Sequence, residues 1–286
     1  MKNTNKLQRF YKMVIAELKE NKGTFLVYSG LRLLVVGVMI MQLFNQNYEN
    51  VFLCILTLIL MIMPSVIQAT FKVELPSLLE IIILVFIFAA EILGEINAFY
   101  MKFPHWDAVL HTLNGFLCAA VGFSMVEILN RQQKLKFELS PLFLAIVAFC
   151  FSMTIGVLWE FFEFGMDKFF QLDMQKDTVI NFISSTMLDP AQQNNCVKIA
   201  DIREVVIDGE SLGIGGYMDI GLIDTMYDLL VNFIGAVVFS TMGYFYVKRR
   251  EAKSLIKGFV PEPWSEEKKK RNSGEEKSQS NDRAKK

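Results

Sequence analysis

Six long apolar blocks constrain the fold of this chain more than any motif does. Each block approaches or exceeds the roughly 20 residues that an α-helix needs to cross a hydrocarbon core. The blocks cover residues 24–44, 51–69, 77–100, 107–129, 141–169 and 220–247. Backbone groups in lipid must bond within their own segment, and the alternating pattern typical of a β-barrel is missing from the sequence. We therefore expect an all-α polytopic membrane protein with six transmembrane helices.

Composition agrees with a membrane protein and excludes several other classes. Hydrophobic residues make up 52% of the chain, and the 21% that are charged cluster outside the apolar blocks. Three of the four cysteines lie inside the blocks, without the spacing of a zinc site or a disulfide framework. The net charge of −1 and the lack of a basic patch give no support for nucleic acid as a partner. The expected partner is the lipid bilayer.

Lysine and arginine are distributed unevenly among the connections, which predicts an orientation. They concentrate before the first block, in the fourth connection and directly after the sixth block. Under the positive-inside rule, both termini are cytoplasmic. Residues 1–23 then form a cytoplasmic amphipathic segment, 24–247 the transmembrane domain, and 248–286 a charged cytoplasmic tail whose composition predicts disorder.

The fifth connection, residues 171–219, is long and lies outside the cell in this topology. Two β-prone runs, "NFISSTML" and "REVVIDGE", are separated by the turn-rich "DPAQQNN". We expect a small extracellular β-hairpin there.

Polar side chains recur inside four of the apolar blocks, at spacings of three or four residues. They are Glu91 and Glu95; Asp107 and His111; Glu160 and Glu163; and Asp224, Asp228 and Asn232. Such spacing places each set on one face of its helix, and all four sets fall at similar depth in the outer third of the bilayer. Because charged residues in spans are costly and mostly functional, we predict one outward-facing polar site. The alternative is a ring of interfacial acids that mark where the helices leave the membrane.

Seven carboxylates and one imidazole at one depth cannot all be ionised without help. Either several carboxylates are protonated, or a divalent cation holds them. Oxygen ligands favour Mg²⁺ or Mn²⁺, and an imidazole also admits Zn²⁺. The predicted metal ligands are Asp107, His111, Glu160, Asp224 and Asp228. The predicted catalytic residues are Asp107, His111, Glu160 and Glu163, with Glu91, Glu95 and Asn232 in support.

Three of these stretches carry a resemblance to known families. "WDAVLH", "LWEFFE" and "DTMYDLLVNFIGA" resemble the YjdF-like bacterial inner-membrane proteins and, more distantly, the VanZ-like family linked to teicoplanin resistance. The resemblance covers about residues 80–247. It implies a multi-pass protein of the bacterial plasma membrane, and it marks Asp107, His111, Glu160, Glu163, Asp224, Asp228, Asn232 and Gly235. Glu163 stands where VanZ-like proteins tend to have glutamine.

Our leading hypothesis is a membrane protein whose acidic site performs metal-assisted chemistry on a lipid or cell-envelope molecule. In an enzyme, the metal would polarise a phosphoryl or carbonyl oxygen, and His111 or a glutamate would act as general base. Two alternatives remain open: a proton- or cation-coupled transporter, and a non-catalytic scaffold. The sequence pattern decides neither the substrate nor the oligomeric state.

Overall fold

The computed structural model of the 286-residue chain describes residues 22–71, 73–130, 139–249 and 255–264. Nearly all of the predicted amphipathic segment 1–23 lies outside the described residues, as does most of the predicted tail.

Six helical segments are long and apolar enough to cross a membrane, which confirms the predicted fold class. They are built from α1 (Lys22–Phe44), α2 (Tyr48–Leu60) with α3 (Met63–Phe71), α4 (Ser77–Phe88) with a π-helical segment (Ala89–Ile96), α6 (Trp106–Asn130), α7 (Pro141–Phe170) and α8 (Leu222–Arg249). A short helix, α5 (Phe99–Lys102), precedes α6. Large apolar side chains such as Leu26 and Leu33 remain 74% exposed, as expected of surfaces that face lipid.

The six spans pack as two halves, each with its own core. Tyr28, Cys54, Leu84 and Ile92 belong to the core of the first three spans. The core of α6, α7 and α8 is built around small residues and aromatic rings: Ala119, Ala120, Ala148, Ala236, Phe123 and Phe239. The halves meet through the π-helical segment at the end of the bundle where α6 and α8 begin, which we call the site end.

The third span ends earlier than the sequence pattern predicts. Its helix stops at Ile96, and Ala98 adopts the left-handed conformation (φ 55°), which reverses the chain into α5. Tyr100, predicted to lie in the span, folds back onto Gly94 instead. A Cβ added at Gly94 would lie 2.4 Å from the Tyr100 ring. The glycine therefore makes room for this reversal.

Helices α6 and α8 cross at a separation that only glycine permits. A Cβ at Gly115 would lie 2.1 Å from the Asn232 carbonyl oxygen, and one at Gly235 would lie 2.0 Å from the Thr112 carbonyl oxygen. Both contacts are with backbone atoms, which cannot swing aside as a flexible side chain can. Helix α7 joins this crossing because Ser152 Oγ donates a 2.7 Å hydrogen bond to the Gly115 carbonyl oxygen.

The long connection between α7 and α8 contains three short antiparallel strand pairs, so the expected β structure is present with a different pairing. Strands β2 (Val179–Ile180) and β7 (Tyr217–Met218) pair at its base, and β3 (Ile183–Ser185) pairs with β4 (Val197–Ile199). The run "REVVIDGE" does not pair with "NFISSTML". Its β5 (Val206–Ile207) pairs with β6 (Glu210–Ser211) across Asp208 and Gly209, which both have positive φ as tight hairpin turns require.

The carboxylate of Asp189 explains why β3 pairs with β4, the next strand along the chain. Asp189 accepts backbone hydrogen bonds from Ala191, Gln193 and Asn195, which organises the "DPAQQNN" turn. The N–H group of Asn195 makes the largest contribution to a pKa of Asp189 below its ordinary value. The turn then delivers Val197–Ile199 directly to β3.

Residues 255–264 differ from the expected disordered tail, because they pack against the end of the bundle opposite the site. A 3₁₀ turn (Leu255–Gly258) places Ile256 and Val260 in the core of α6, α7 and α8. Strand β8 (Glu262–Pro263) pairs with β1 (Val73–Glu74) between the second and third spans. Trp264 is 3% exposed, and its Nε1 donates a 3.0 Å hydrogen bond to the Val73 carbonyl oxygen. The sequence pattern does not reveal this packing, because the tail is mostly charged and only a few residues of the described segment, Ile256, Val260 and Trp264, are buried apolar side chains.

The glycine crossing predicts a sharp sensitivity to one methyl group. We expect Gly235→Ala to lower the free energy of unfolding by about 1–3 kcal/mol or more, because the added carbon meets backbone on α6. Gly37→Ala is the matched control: no atom lies within 4 Å of its added Cβ, and alanine favours a helix over glycine. Denaturant titration in mixed micelles measures both. Equal stability of Gly235→Ala and the wild type would contradict the close crossing.

The packing of the C-terminal segment predicts that Trp264 stabilises the whole bundle. Truncation of a buried aromatic side chain costs about 3–5 kcal/mol, so Trp264→Ala should lower the melting temperature in detergent. The control Lys257→Ala removes an exposed side chain from the same segment and should leave the melting temperature unchanged. A disordered segment would make the two variants indistinguishable.

Candidate functional site

The first turns of α6 present a carboxylate and an imidazole to α7 and α8. His111 Nε2 lies 3.5 Å from Asp107 Oδ1 and 3.7 Å from Asp228 Oδ2. On the α7 side, His111 Nδ1 lies 3.9 Å from Glu160 Oε1. Because helices cover it on both sides, His111 is only 9% exposed. The imidazole therefore faces carboxylates from three helices, at separations longer than ordinary hydrogen bonds.

A second group of three carboxylates overlaps with the first. Ligand atoms of Glu160, Glu163 and Asp228 lie within 4.8 Å of one another, as do those of Asp107, His111 and Asp228. Asp228 belongs to both groups and is 2% exposed. We call these five residues the acidic-histidine cluster. The structure thus brings together four of the five predicted metal ligands and all four predicted catalytic residues; their roles stay a prediction.

The cluster contains a carboxylate oxygen without a protein partner. Glu160 is 4% exposed, and its Oε2 has no hydrogen-bond partner among the described residues. Glu163 is 8% exposed, and its Oε1 accepts a 2.9 Å hydrogen bond from Trp159 Nε1. A buried carboxylate oxygen without a partner is costly. An oxygen in this position favours either a proton on the Glu160 carboxyl group or a ligand from outside the protein.

Asn232 supports the cluster from below, one turn after Asp228. It is 1% exposed, its Oδ1 accepts a 3.4 Å hydrogen bond from Asn114 Nδ2, and its Nδ2 lies 3.6 Å from Met153 Sδ. Gly156 makes room for it, since a Cβ there would lie 2.7 Å from Asn232 Nδ2. The amide thus ties α6 and α7 to α8 directly beneath the acids.

The π-helical segment brings the first half of the bundle to the edge of the cluster. Its Glu91 is half-buried and Glu95 is exposed, and neither belongs to the two groups of ligand atoms that form the acidic-histidine cluster. Tyr100 is held against the same edge by its packing on Gly94. Burial raises the pKa of the Tyr100 phenol above its ordinary value, and the nearby Asp107 carboxylate raises it further. Tyr100 is therefore a neutral hydroxyl beside the acids.

Three aspartates fasten the start of the long connection over the site end. Asp167 accepts backbone hydrogen bonds from Met174 (2.6 Å) and Gln175 (2.8 Å). Asp224 Oδ2 accepts one from Lys176 (2.8 Å), and Asp219 Oδ1 accepts one from Thr178 (2.7 Å). Residues 174–178, which we call the strap, are thereby fixed to α7 and to the start of α8.

Asp224 consequently takes a different place from the one predicted for it. It lies in neither group of the acidic-histidine cluster, and one of its oxygens is engaged by the strap. The strap also contributes a side chain that the sequence pattern does not reveal. Gln175 Nε2 donates a 2.5 Å hydrogen bond to Thr225 Oγ1, and both side chains lie within hydrogen-bonding reach of the Glu160 carboxylate.

The geometry of the cluster fits a divalent cation. Ligand atoms bonded to one ion at about 2.1 Å lie about 3.0–3.4 Å apart. The separations of 3.5 Å and 3.7 Å between His111 Nε2 and the Asp107 and Asp228 carboxylates need only a small contraction to reach that range. Carboxylates with one imidazole form a ligand set that Mn²⁺, Mg²⁺ and Zn²⁺ accept. The hydrogen bond from Trp159 would orient Glu163, and the Gln175–Thr225 pair beside Glu160 would help to orient that carboxylate.

Sequence reasoning missed Tyr100, Gln175 and Thr225. Tyr100 was hidden because the apolar block runs through the reversal at Ala98. Gln175 and Thr225 carry no charge and belong to no recurring spacing. A partial signal existed for Thr225, since it stands between Asp224 and Asp228 on the polar end of the sixth block.

Fold and site together define a six-span membrane protein with a buried acidic-histidine cluster at one end of its last three spans. The chain belongs to the family described as "Predicted membrane protein (DUF2238)", whose model matches residues 27–249. The match covers both halves of the bundle, the long connection and all the residues of the cluster.

One curated relative is similar to part of the chain. An uncharacterized protein from Thermotoga maritima is 28% identical over 105 residues, which cover 37% of this chain and 52% of the relative. The chain therefore spans about half the length of that relative. No solved structure matches the chain.

The strap predicts a measurable role for Asp224. Asp224→Ala should speed amide hydrogen exchange of Lys176 about tenfold or more, because a hydrogen bond to a charged acceptor is lost. Asp173→Ala is the control, since its 65% exposed side chain pairs with the Lys176 ammonium at 3.6 Å and leaves the amide bonded. Unchanged exchange in Asp224→Ala would show that this aspartate does not hold the strap.

Proposed function

We propose that this multi-pass membrane protein binds a divalent cation (Mg²⁺, Mn²⁺ or Zn²⁺) in its acidic-histidine cluster and uses it in chemistry on a lipid or cell-envelope molecule. The single observation that carries the proposal is the buried Glu160: its Oε2 accepts no hydrogen bond from the described residues, although Gln175 and Thr225 lie beside the carboxylate. Within the described residues, no lysine or arginine forms an ion pair with a carboxylate of the cluster. A cation from solution would supply the missing charge and the missing ligand contact.

The depth of the cluster supports a substrate that reaches it from the membrane. His111 is the sixth residue of α6, which places it about 8 Å along the helix from its first residue. Asp228 is the seventh residue of α8. Side chains at this depth lie near lipid headgroups, where the reacting group of a lipid or a lipid-linked envelope precursor is found.

The arrangement supports a division of roles within the cluster. The cation would polarise a phosphoryl or carbonyl oxygen and lower the pKa of a bound water. His111 or Glu163 would take the proton from that water when it is not itself a ligand. The hydrogen bond from Trp159 fixes one Glu163 oxygen and leaves the other for this purpose.

The distribution of basic residues supports a site that opens outside the cell, in the bacterial plasma membrane. Lysine and arginine precede the first span, fill 131–136 and follow the sixth, so both termini would face the cytoplasm. The resemblance of three stretches to YjdF-like inner-membrane proteins agrees with this location. The long connection and the cluster would then lie at the outer face.

Cation binding should stabilise the folded bundle, because only the folded state gathers the ligands. We expect EDTA to lower the melting temperature in detergent and Mn²⁺, Mg²⁺ or Zn²⁺ to restore it. The gain is about 2.7 kcal/mol at a free metal concentration one hundred times Kd. The double variant Asp107→Asn, Glu160→Gln should stay folded and lose the response.

A matched double variant controls for the loss of two charges. Glu204→Gln, Asp208→Asn removes two exposed acids of the long connection and should keep the full response to metal. If the melting temperature of the wild type does not respond to chelator or metal but rises at low pH, the cluster does not bind a cation. The carboxylates then share protons instead.

The native Cys196 tests the orientation without an engineered probe. It is exposed in the long connection, whereas Cys54 is buried, and Cys118 and Cys150 lie within spans. A membrane-impermeant maleimide added to intact cells should label the wild type and leave Cys196→Ser unlabelled. Labelling only after permeabilisation would reverse the orientation and place the cluster at the cytoplasmic face.

A further inference from the structure

The charge of the cluster determines how many cations it needs. Four of its members are carboxylates: Asp107, Glu160, Glu163 and Asp228. With a neutral imidazole, their full ionisation gives a charge of about −4 in a region from which water is largely excluded. One divalent cation would leave about half of that charge without compensation. Two divalent cations would balance it.

The geometry divides the ligands in the same way. Asp107 and His111 lie on one side of Asp228, with His111 Nε2 at 3.5 Å and 3.7 Å from the two carboxylates. Glu160 and Glu163 form the second group with Asp228, and all their ligand atoms lie within 4.8 Å of one another. A carboxylate has two oxygens and about four lone-pair sites, so Asp228 can bridge two ions.

We propose that the cluster is a two-cation centre bridged by Asp228, with one ion held by Asp107 and His111 and the other by Glu160 and Glu163. The proposal rests on the cation site of the proposed function and specifies its stoichiometry. Glu160 Oε2, which accepts no hydrogen bond in the part of the chain that the structure describes, supports the second position independently of the acidic composition, because it belongs to a side chain that is 4% exposed.

The half of the centre formed by Glu160 and Glu163 has its own orienting contacts. Trp159 holds Glu163, while the Gln175–Thr225 pair lies within reach of Glu160. His111 lies between Asp107 and Asp228 on the other side. Separate support of Glu160 and Glu163 beside the shared Asp228 carboxylate is what the second ion of a binuclear site requires.

A two-cation centre indicates the class of substrate. Two ions about 3.5–4 Å apart can hold both the attacking and the leaving oxygen of an in-line displacement at phosphorus. The substrate class is therefore a phosphate monoester of a membrane-resident alcohol. In its hydrolysis, water adds to phosphorus and the bond from phosphorus to the alcohol oxygen breaks. The proton lost by the water ends on the leaving alkoxide, which gives inorganic phosphate and the free alcohol.

Manganese titration of the purified full-length protein tests the stoichiometry. Equilibrium dialysis should give two Mn²⁺ per chain, and electron paramagnetic resonance should show an exchange-coupled pair at saturation. Glu163→Gln and His111→Ala should each reduce binding to one uncoupled Mn²⁺, from opposite sides of the bridge. Asp228→Asn should abolish the coupling. The control Glu204→Gln, an exposed acid in the long connection, should keep two coupled ions.

The outcomes separate this proposal from the one on which it rests. The two-cation centre is overturned if the wild-type chain binds one Mn²⁺ and if Glu163→Gln and His111→Ala weaken that binding equally. The proposed cation site is kept in that case. No bound Mn²⁺ overturns both. Circular dichroism of each variant checks folding. A variant that unfolds is replaced by Glu160→Gln or Asp107→Asn, which remove a ligand from the same side.

Inorganic phosphate tests the substrate class, since it is the expected product. Added to the dimanganese protein, it should change the exchange coupling and raise the melting temperature. It should do neither in Glu163→Gln loaded with Mn²⁺. If phosphate and sulfate both leave the spectrum and the melting temperature of the wild type unchanged, the assignment to phosphate esters is overturned. This holds even where two ions bind.

Discussion

The backbone contact between α6 and α8 at Gly115 and Gly235 is the constraint on which the candidate site depends. An added Cβ at either position would lie within about 2.1 Å of a carbonyl oxygen of the other helix. This close crossing lies one turn beyond His111 and Asp228, so it sets how near their side chains come. Ser152 and Gly156 bring α7 to the same level, and Glu160 therefore reaches the other two helices.

Burial within membrane-spanning helices makes the repulsion between these acids stronger than it would be in water. In an exposed setting, carboxylates at such separations would be solvated and their repulsion screened. Here Glu160, Glu163 and Asp228 are all less than 9% exposed, within helices that cross the membrane. Burying several like charges is unfavourable without protons or cations. The glycine crossing therefore brings together acids that must share protons or, as we propose, bind cations.

Hydropathy and spacing predict the spans and the acids that converge, because both depend on local periodicity. Features that depend on single residues escape that reasoning: Ala98 ends the third span by turning left-handed, and Tyr100 enters the site as a result. Asp224 shares the spacing of Asp228, yet it accepts a hydrogen bond from Lys176. Spacing identifies a helix face, but the depth of each side chain along that face depends on the loop that covers it.

The two halves of the bundle contribute unequally to the site, and they meet at both ends of the bundle. The acidic-histidine cluster comes entirely from α6, α7 and α8. The first three spans reach it only at the edge, through the π-helical segment and Tyr100. At the opposite end, the segment ending in Trp264 joins both halves. Because π-helical turns often occur at functional positions, we include the first half in the proposed site, as the wall that would position a substrate against the cluster.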